Sequence, residues 1–570
     1  MFQPVRQVSV NFADNEKQSN KTFNILYFMK TNLVNLVLGL AFTGGAVSCQ
    51  SQKNDLVFEH QGDTVTIVHI VRPAKYLLLP IQESSKEGLV RLDTGSPADT
   101  DMDVRLATDS VEYYVPFALP QGSEEATVII KKVEADALCW DSIRVSDTFD
   151  TANRDKFRPV YHHTPLYGWM NDANGLVYKD GEYHLYFQYN PFQNQWGNLC
   201  WGHAVSEDLL HWKQLDTVMF PEKDGSIFSG CGIVNERGLL KLPESALLFF
   251  YTMAGGKTKW SEGKKFTQRL AYSLDGGKTL QKTAEPVIDH IADENRDPKV
   301  YWHENSQAYY MVLFLEGHRF GIFRSENLQD WECTQTLELD EAWECPDLRE
   351  IPVEDGGSRW VFWSADGFYF LGEFDGYRFI TDGIRREAYQ TTIPYAAQTF
   401  YGVKDVISVS WLRTQNNGQY YRGVMALPRK MTLVRSGEDI RLRMMPVENF
   451  LNARKLVYED NTCELKYKPK DTVAIQIQLL GAGKISYVAE INGNNICFDW
   501  EAGSLTVNEQ QAFMGNNIHE MSILIDAEIC EVTTENGLYY GVFELNPGCD
   551  LRDWSIRSRE MLNMKVMEIS

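Results

Sequence analysis

The chain has 570 residues, 44% hydrophobic and 23% charged, which at about 150 residues per domain predicts roughly two to four folded domains and excludes a disordered or collagen-like polymer. Acidic residues outnumber basic ones 78 to 55, for a formal charge of −23, and that surplus repels phosphate backbones, so nucleic acid is not an expected partner. Aromatic residues make up 12% of the chain, a supply of flat rings suited equally to sugar faces and to a thick β-rich core.

Residues 29–49 read MKTNLVNLVLGLAFTGGAVSC. Lys30 gives a positive start, Leu33 to Phe42 is mostly apolar, and Ala46, Val47 and Ser48 are small residues ahead of Cys49, the pattern of a secretory signal. The apolar run is short for a membrane span. The cysteine directly after the exit resembles a bacterial lipobox, so Cys49 is the expected lipidation site and mature N-terminus. Residues 1–48 are then leader and signal peptide, with the start at Met29. The expectation is export with a lipid anchor as the one membrane contact, in the periplasm or on the cell surface. The 10 cysteines contain no CxxC pair, so a zinc ribbon is not expected, and no disulfide pairing is assigned.

Residues 49–150 read as a small β-domain. TVTIVHIV (64–71), KYLLLPI (75–81), VEYYVPF (111–117) and ATVIIKKV (126–133) are short β-rich runs separated by Gly, Pro and Asp. No cluster of catalytic groups stands out there, which leaves packing and carbohydrate contact both open. Residues 151–455 carry a weak repeat. SEDLLHW (206–212), SLDGGKT (273–279), SENLQDW (325–331) and FDGYRF (374–379) each look like a hairpin turn, several after aromatic-rich strands such as EYHLYFQY (182–189). Their spacings of 67, 52 and 49 residues suit four-stranded blades, about five in all. Helical periodicity is nearly absent, against a (β/α)₈ barrel. From 456 to 570, VAIQIQLL (473–480), ISYVAEI (485–491) and EMSILIDAEICEVTT (520–534) are separated by turn residues such as Asn492-Gly493-Asn494, a pattern for a terminal β-sandwich. The fold class is therefore all-β: a five-bladed β-propeller followed by a C-terminal β-sandwich, with an additional small N-terminal β-domain.

Three segments could carry chemistry. Trp169-Met170-Asn171-Asp172-Ala173-Asn174-Gly175 places Asp172 beside apolar neighbours that a solvated turn seldom has. Arg296-Asp297-Pro298 sets a guanidinium next to a carboxylate, which alone reads as a local ion pair. Trp343-Glu344-Cys345-Pro346-Asp347 embeds Glu344 between a ring and a thiol, the desolvated setting a general acid needs. His162 and His163 read as packing or hydrogen-bonding histidines, because no second cluster of metal ligands accompanies them.

Taken together and in order, HHTPLYGWMNDANG (162–175), YHLYFQYNP (183–191), WGHAVSEDLLHW (201–212), FSG (228–230), RDP (296–298), WECPDL (343–348), YAAQTF (395–400) and ALPR (426–429) resemble glycoside hydrolase family 32, the β-fructofuranosidases. ILIDAEICEV (523–532) is similar to that family's sandwich domain, so the resemblance runs over about 410 residues from Phe157 on. It implies a five-bladed propeller with a sandwich. It also implies Asp172 as nucleophile, Glu344 as general acid/base and Asp297 as transition-state stabiliser. Asn171, Gln188, Trp196, Phe228, Ser229, Arg296 and Trp411 are implied to grip the terminal fructose, with no metal and no cofactor. The chain departs from the family at Ala173, where proline is usual, and at Cys231, where a hydroxyl residue is common; Cys231 is expected to alter contacts with the sugar beyond the fructose. The implied function is a retaining hydrolase releasing terminal fructose from levan, inulin, fructo-oligosaccharides and sucrose. The alternatives are an endo-acting levanase or inulinase and a non-catalytic fructan-binding protein.

Overall fold

The computed structural model describes residues 56–569 apart from 97–98, 150–157, 416–419, 466, 468–473, 482–485, 492 and 547–553. The leader, the signal segment and Cys49 lie outside the described residues.

The first unit is built from two antiparallel sheets. Leu56–Gln61, Val65–Val71, Glu125–Lys131, Gly88–Leu92 and Met102–Val104 form one in that spatial order, and Tyr113–Ala118, Tyr76–Ile81 and Arg144–Ser146 form the other. Val65–Val71 alternates half-buried and buried positions, as a strand with one core face must, whereas Tyr76–Ile81 is buried throughout. Val68, Leu77, Leu79, Val90, Val115 and Val128 fill the space between.

Five antiparallel sheets follow, each a blade of four principal strands. Blade I comprises Gly168–Lys179, Glu182–Asn190, Cys200–Ser206 and Lys213–Gln214; blade II, Ser226–Val234, Leu247–Ala254, Phe266–Ser273 and Gln281–Lys282. Blade III comprises Arg296–His303, Ala308–Glu316, Arg319–Ser325 and Glu332–Glu338; blade IV, Asp347–Pro352, Ser358–Trp363, Phe368–Phe374 and Phe379–Thr381. Blade V is Pro394–Thr399, Ile407–Leu412, Arg429–Ser436 and Asp439–Pro446. The first strands of blades I, II, III and V meet one another around the axis. A short strand, Tyr421–Arg422, pairs in parallel with Gly168 and Trp169 and so links the last blade to the first. That closure requires glycine at two points. Gly168 has φ +80° and a Cβ there would sit 2.2 Å from the Asn190 carbonyl oxygen; at Gly423, with φ +98°, it would sit 2.0 Å from the Met170 carbonyl oxygen.

The four repeated turns occupy one structural position, between the third and fourth strands of blades I to IV. Their chemistry is shared: side-chain oxygens accept from the N–H groups that a tight turn leaves without a strand partner. The Ser206 hydroxyl accepts from Leu209 at 2.9 Å, that of Ser273 from Gly277 at 2.8 Å, and that of Ser325 from Leu328 at 2.8 Å, while Asp375 accepts from Tyr377 and Arg378.

The C-terminal sheet wraps around a core that includes Ile475, Ile477, Ala489, Ile523, Val532 and Val566. Its longest strand, Trp554–Ile569, pairs along most of its length with Arg454–Leu465, and on its other edge with Tyr487–Ile491 at one end and Ala474–Leu480 at the other, so one strand belongs to both layers of the sandwich. The run 520–534 is two strands, Glu520–Asp526 and Ile529–Thr534, reversed at Ala527 with φ +53°.

That reversal places Asp526 and Glu531 against the propeller. Asp526 accepts from the backbone N–H groups of Val160, Tyr161 and His162 and from the His162 ring at 2.8 Å. Glu531 receives the other ring nitrogen of His162 at 3.2 Å, the Tyr540 hydroxyl at 3.0 Å and the Arg429 guanidinium. All are buried. Burial works against the imidazolium, yet hydrogen bonds to Asp526 and Glu531 lift it to about 9. Burial likewise penalises the Glu531 carboxylate, but Arg429 and His162 hold it down at about 2. His163, next in the chain, has burial and the Arg158 charge against it and is pushed down to about 3, a neutral packing histidine. The two neighbours thus do opposite things.

A histidine lifted in the folded state contributes stability that is complete below about 6.5 and is lost as pH rises through about 9. The melting temperature should therefore fall between pH 6.5 and 9.5, and His162→Gln should flatten that slope; calorimetry across the range checks it. Glu531→Gln, which strips Arg429 and His162 of a buried partner, should cost about 3 kcal/mol at neutral pH.

Candidate active site

Four of the inner strands depart from regular pairing where they face the axis. Register shifts fall between Phe187 and Tyr189 in blade I, Ile227 and Gly230 in blade II, Arg296 and Lys299 in blade III, and Tyr395 and Gln398 in blade V. Each such bulge turns side chains of one strand toward the cavity. Blade IV reaches the same end through the residues before its first strand, where Glu344 and Cys345 take φ +29° and +45°. Asp297 and Ala396 are left-handed as well, at +59° and +51°. Strained backbone therefore gathers around one point.

There, a cavity of about 530 Å³ is lined by Asn171, Asp172, Gln188, Trp196, Phe228, Ser229, Arg296, Asp297, Glu344 and Trp411. All ten residues expected to act on the fructose or grip it are on its wall. Asp172 Oδ2 accepts from the Ser229 hydroxyl at 2.8 Å, a bond from blade II to blade I, and Oδ1 accepts from the Asn171 amide at 3.2 Å. The Trp169 indole N–H in turn fixes Asn171 at 3.0 Å. Asp297 is 4% exposed; its N–H donates to Thr252 at 3.1 Å and its Oδ2 accepts from the Cys345 N–H at 3.3 Å. The Cys345 thiol lies 3.7 Å from Asp172 Oδ2 and 3.5 Å from Asp297 Oδ2, between the two acids. Glu344 accepts on Oε2 from Arg296, through Nη2 at 2.6 Å and Nε at 3.1 Å, and on Oε1 from the Tyr395 hydroxyl. Arg296 also stands 3.4 Å from Asp297 and lies over the Phe314 ring at 4.5 Å.

Acids this close cannot all ionise cheaply. Burial, then the Glu344 charge, raises Asp172 above the ordinary carboxylate range, against its hydrogen bonds from Ser229 and Asn171. Burial dominates at Asp297 as well; Arg296 opposes it, the charges of Glu344 and Asp172 add to it, and the carboxyl is pushed up to about 7. Near neutrality the cluster therefore holds a proton that an exposed set of acids would have lost. Two further groups face the cavity without internal partners: both polar atoms of the Gln188 amide, and the indole N–H of Trp411. Buried polar atoms left unmatched in a concave wall are groups a hydroxyl-rich ligand would satisfy.

A model of the family 32 N-terminal domain of the glycosyl hydrolases matches residues 162–446, half of the chain, and covers all five blades and the whole cavity wall. The chain belongs to glycosyl hydrolase family 32. A domain of unknown function (DUF4980) matches residues 62–161. The levanase of Bacillus subtilis is 35% identical over 344 residues, which is 54% of this chain and 50% of the levanase. The extracellular exo-inulinase of Aspergillus awamori is 34% identical over 353 residues, 51% of this chain and 65% of the inulinase. The chain thus spans between half and two thirds of the length of these relatives. A solved fructofuranosidase from Schwanniomyces occidentalis, complexed with fructose, aligns with TM-score 0.64 at 26% identity over 74% of this chain and 99% of that one.

The family 32 cavity is wider than the sequence motifs alone indicate. Leu199, Lys257, Phe266, Asp293, Glu294 and Tyr395 line it too. Asp293 and Glu294 stand just ahead of Arg296, and Tyr395 opens the YAAQTF run, so their positions beside recognised motifs were a usable signal. Lys257 and Phe266 belong to a segment without one. Cys231 requires a correction. It is fully buried, its sulfur accepts from the Val300 N–H at 3.2 Å, and it is absent from the cavity wall, so it joins blades II and III rather than touching a second sugar.

A carboxyl raised in the folded state makes folding less favourable as pH climbs from its unfolded value through its folded one. Asp297→Asn should therefore raise the melting temperature by about 1–2 °C at pH 8 and by nothing at pH 4, while removing a cavity carboxylate. Calorimetry of both proteins at the two pH values is the check.

Proposed function

We propose that this protein is a retaining β-fructosidase that releases terminal fructose from fructans and fructo-oligosaccharides. The observation carrying this reading is the meeting of Asp172, Asp297 and Glu344, from three blades, on the wall of one cavity beside the unmatched amide of Gln188. A fructosyl bond breaks through an oxocarbenium-like state, which needs a carboxylate at the anomeric carbon and an acid at the departing oxygen. Asp172 attacks C2 of the fructosyl unit and forms a covalent ester, as the C2–O bond breaks and Glu344 gives its proton to the leaving sugar. Glu344 then takes a proton from water, the resulting hydroxide equivalent attacks C2, and the ester bond returns its electrons to Asp172. Two inversions leave fructose with retained configuration. Ser229 and Asn171 donate to Asp172 and so favour the ionised nucleophile. Arg296 and Tyr395 fix both oxygens of Glu344, and one of these bonds must yield when the glycosidic oxygen arrives. Asp297, deep in the cavity, accepts hydroxyls of the ring and strengthens those bonds as positive charge develops.

Exo action and a fructan substrate are supported by relatives named extracellular exo-inulinase, levanase and fructan beta-fructosidase. Export fits both those names and the 29–49 segment, and the anchor at Cys49 rests on that segment alone.

Incubation with levan and inulin should give free fructose as the early product; a ladder of oligosaccharides would overturn exo action. Asp172→Asn should lower turnover by ~10⁴-fold or more with an unchanged melting curve. On a fructoside with an activated leaving group, the acid limb of the wild-type pH profile should lie above that of a free aspartate, and Glu344→Gln should move it down by removing the charge that raises Asp172.

A further inference from the structure

We infer that the N-terminal domain is a working part of the substrate pocket: it clamps the loop 191–199 of blade I and thereby sets the position of Trp196. The loop joins two strands of the blade, Glu182–Asn190 and Cys200–Ser206, and has no regular structure of its own. It supplies the cavity wall with Trp196 and Leu199. Trp196 is 55% exposed, and a Phe228 ring meets it edge-on at 6.5 Å. Such contact alone does not fix an indole.

The fixing comes from the other domain. Arg105 Nε donates to Gln193 Oε1 at 2.9 Å, and its Nη2 donates to Gln195 Oε1 at 3.3 Å. The Asn194 backbone N–H donates to Glu83 at 2.8 Å, and the Gln193 amide donates to Glu87 at 3.1 Å. On the far side of Trp196, the Asn198 side chain takes the N–H of Asp103 at 2.8 Å and gives to its carbonyl at 2.7 Å, like one more strand residue on the sheet edge. The anchors therefore bracket the tryptophan. They also explain why Gln193 and Asn198, polar residues of a connecting loop, are only 2% and 6% exposed. Buried amides are tolerated because each is matched, and most of the matching groups belong to residues 83–105.

The clamp is a positioning device, since none of Glu83, Glu87, Asp103 or Arg105 lines the cavity. Its effect falls on binding: a loop held in the bound arrangement spares the substrate the ordering of that wall. This inference rests on the fructosidase reading above, and the experiment separates the two. With the full-length protein and short fructo-oligosaccharides, Glu83→Ala and Arg105→Ala should each raise KM roughly fivefold while kcat stays within about twofold. Glu83→Gln, which keeps an acceptor for the Asn194 N–H, should restore the wild-type KM. In hydrogen exchange, peptides covering 191–199 should exchange faster in the two alanine variants, with the strands of blades II to IV unchanged. Unchanged KM and unchanged loop exchange would overturn the clamp. So would a general rise in exchange with kcat and KM falling off together, because that is loss of stability. A wild-type protein inactive on every fructan would instead overturn the fructosidase reading, and the exchange result would still report on the clamp.

Discussion

The structure depends on keeping three carboxylates, Asp172, Asp297 and Glu344, at one cavity with the Arg296 guanidinium set between two of them. Like charges in a buried wall repel, and no arrangement of side chains removes that cost. The molecule distributes it. Part is met by protonation, as the rise of Asp297 to about 7 shows. Part is met by donors fixed in advance, Ser229 and Asn171 on Asp172 and the Cys345 N–H on Asp297. Asp297, Glu344 and Cys345 also carry left-handed backbone, which the four-stranded sheets behind them hold in place.

The cluster at the sandwich junction shows the same buried chemistry with the opposite balance. There two acids, Asp526 and Glu531, face His162 and Arg429, and each acidic oxygen has donors pointed at it. Glu531 is driven down to about 2 where Asp297 is driven up to about 7, although both are buried. Burial pushes both carboxyls up; at Glu531 the charges and hydrogen bonds of Arg429 and His162 reverse the sign, and at Asp297 Arg296 does not. Matched charges hold two domains together, and like charges crowded at the cavity push Asp297 up.

What could be read from the chain follows the same division between local and assembled features. The blade turns were legible because the cause is local: a serine or aspartate accepts from N–H groups two to four residues on, and the spacing repeats. The strand alternation of Val65–Val71 was legible for the same reason. The reversal at Ala527 was not, since the turn has neither Gly, Asn nor Pro, and Asp526 is held there by His162, far away in sequence. The inner-strand bulges are likewise invisible in the pattern, because an inserted residue changes pairing without changing composition. At the site, the motif residues were found through their distinctive local sequence, whereas Lys257, in a loop, and Phe266, opening the third strand of blade II, reach the wall only through the folding of that blade. Cys231 was misplaced because residues two apart in a regular strand share a face, and the bulge between Ile227 and Gly230 breaks that relation between Ser229 and Cys231.

Blade I, which carries Asp172, is tied to its surroundings on several sides. The short strand Tyr421–Arg422 seals its inner edge, and Asp526 gathers the backbone of residues 160–162 just ahead of it. Arg105 and Glu83 hold its first long loop. Blades III and IV, which carry Asp297 and Glu344, are joined to each other directly, through the Arg296–Glu344 contact at the cavity and the buried Lys299–Asp347 pair at 3.6 Å further along the same strands. Lys299 also donates to the Thr399 carbonyl at 2.7 Å and so brings in blade V. Two braced groups result, one carrying Asp172 and the other carrying Asp297 and Glu344. The Ser229–Asp172 bond and the thiol of Cys345 lie across the gap between them. Chemistry at a ring carbon tolerates little misplacement, and the bracing is densest where that tolerance is smallest. The flanking domains thus limit how far blade I can drift from blades III and IV.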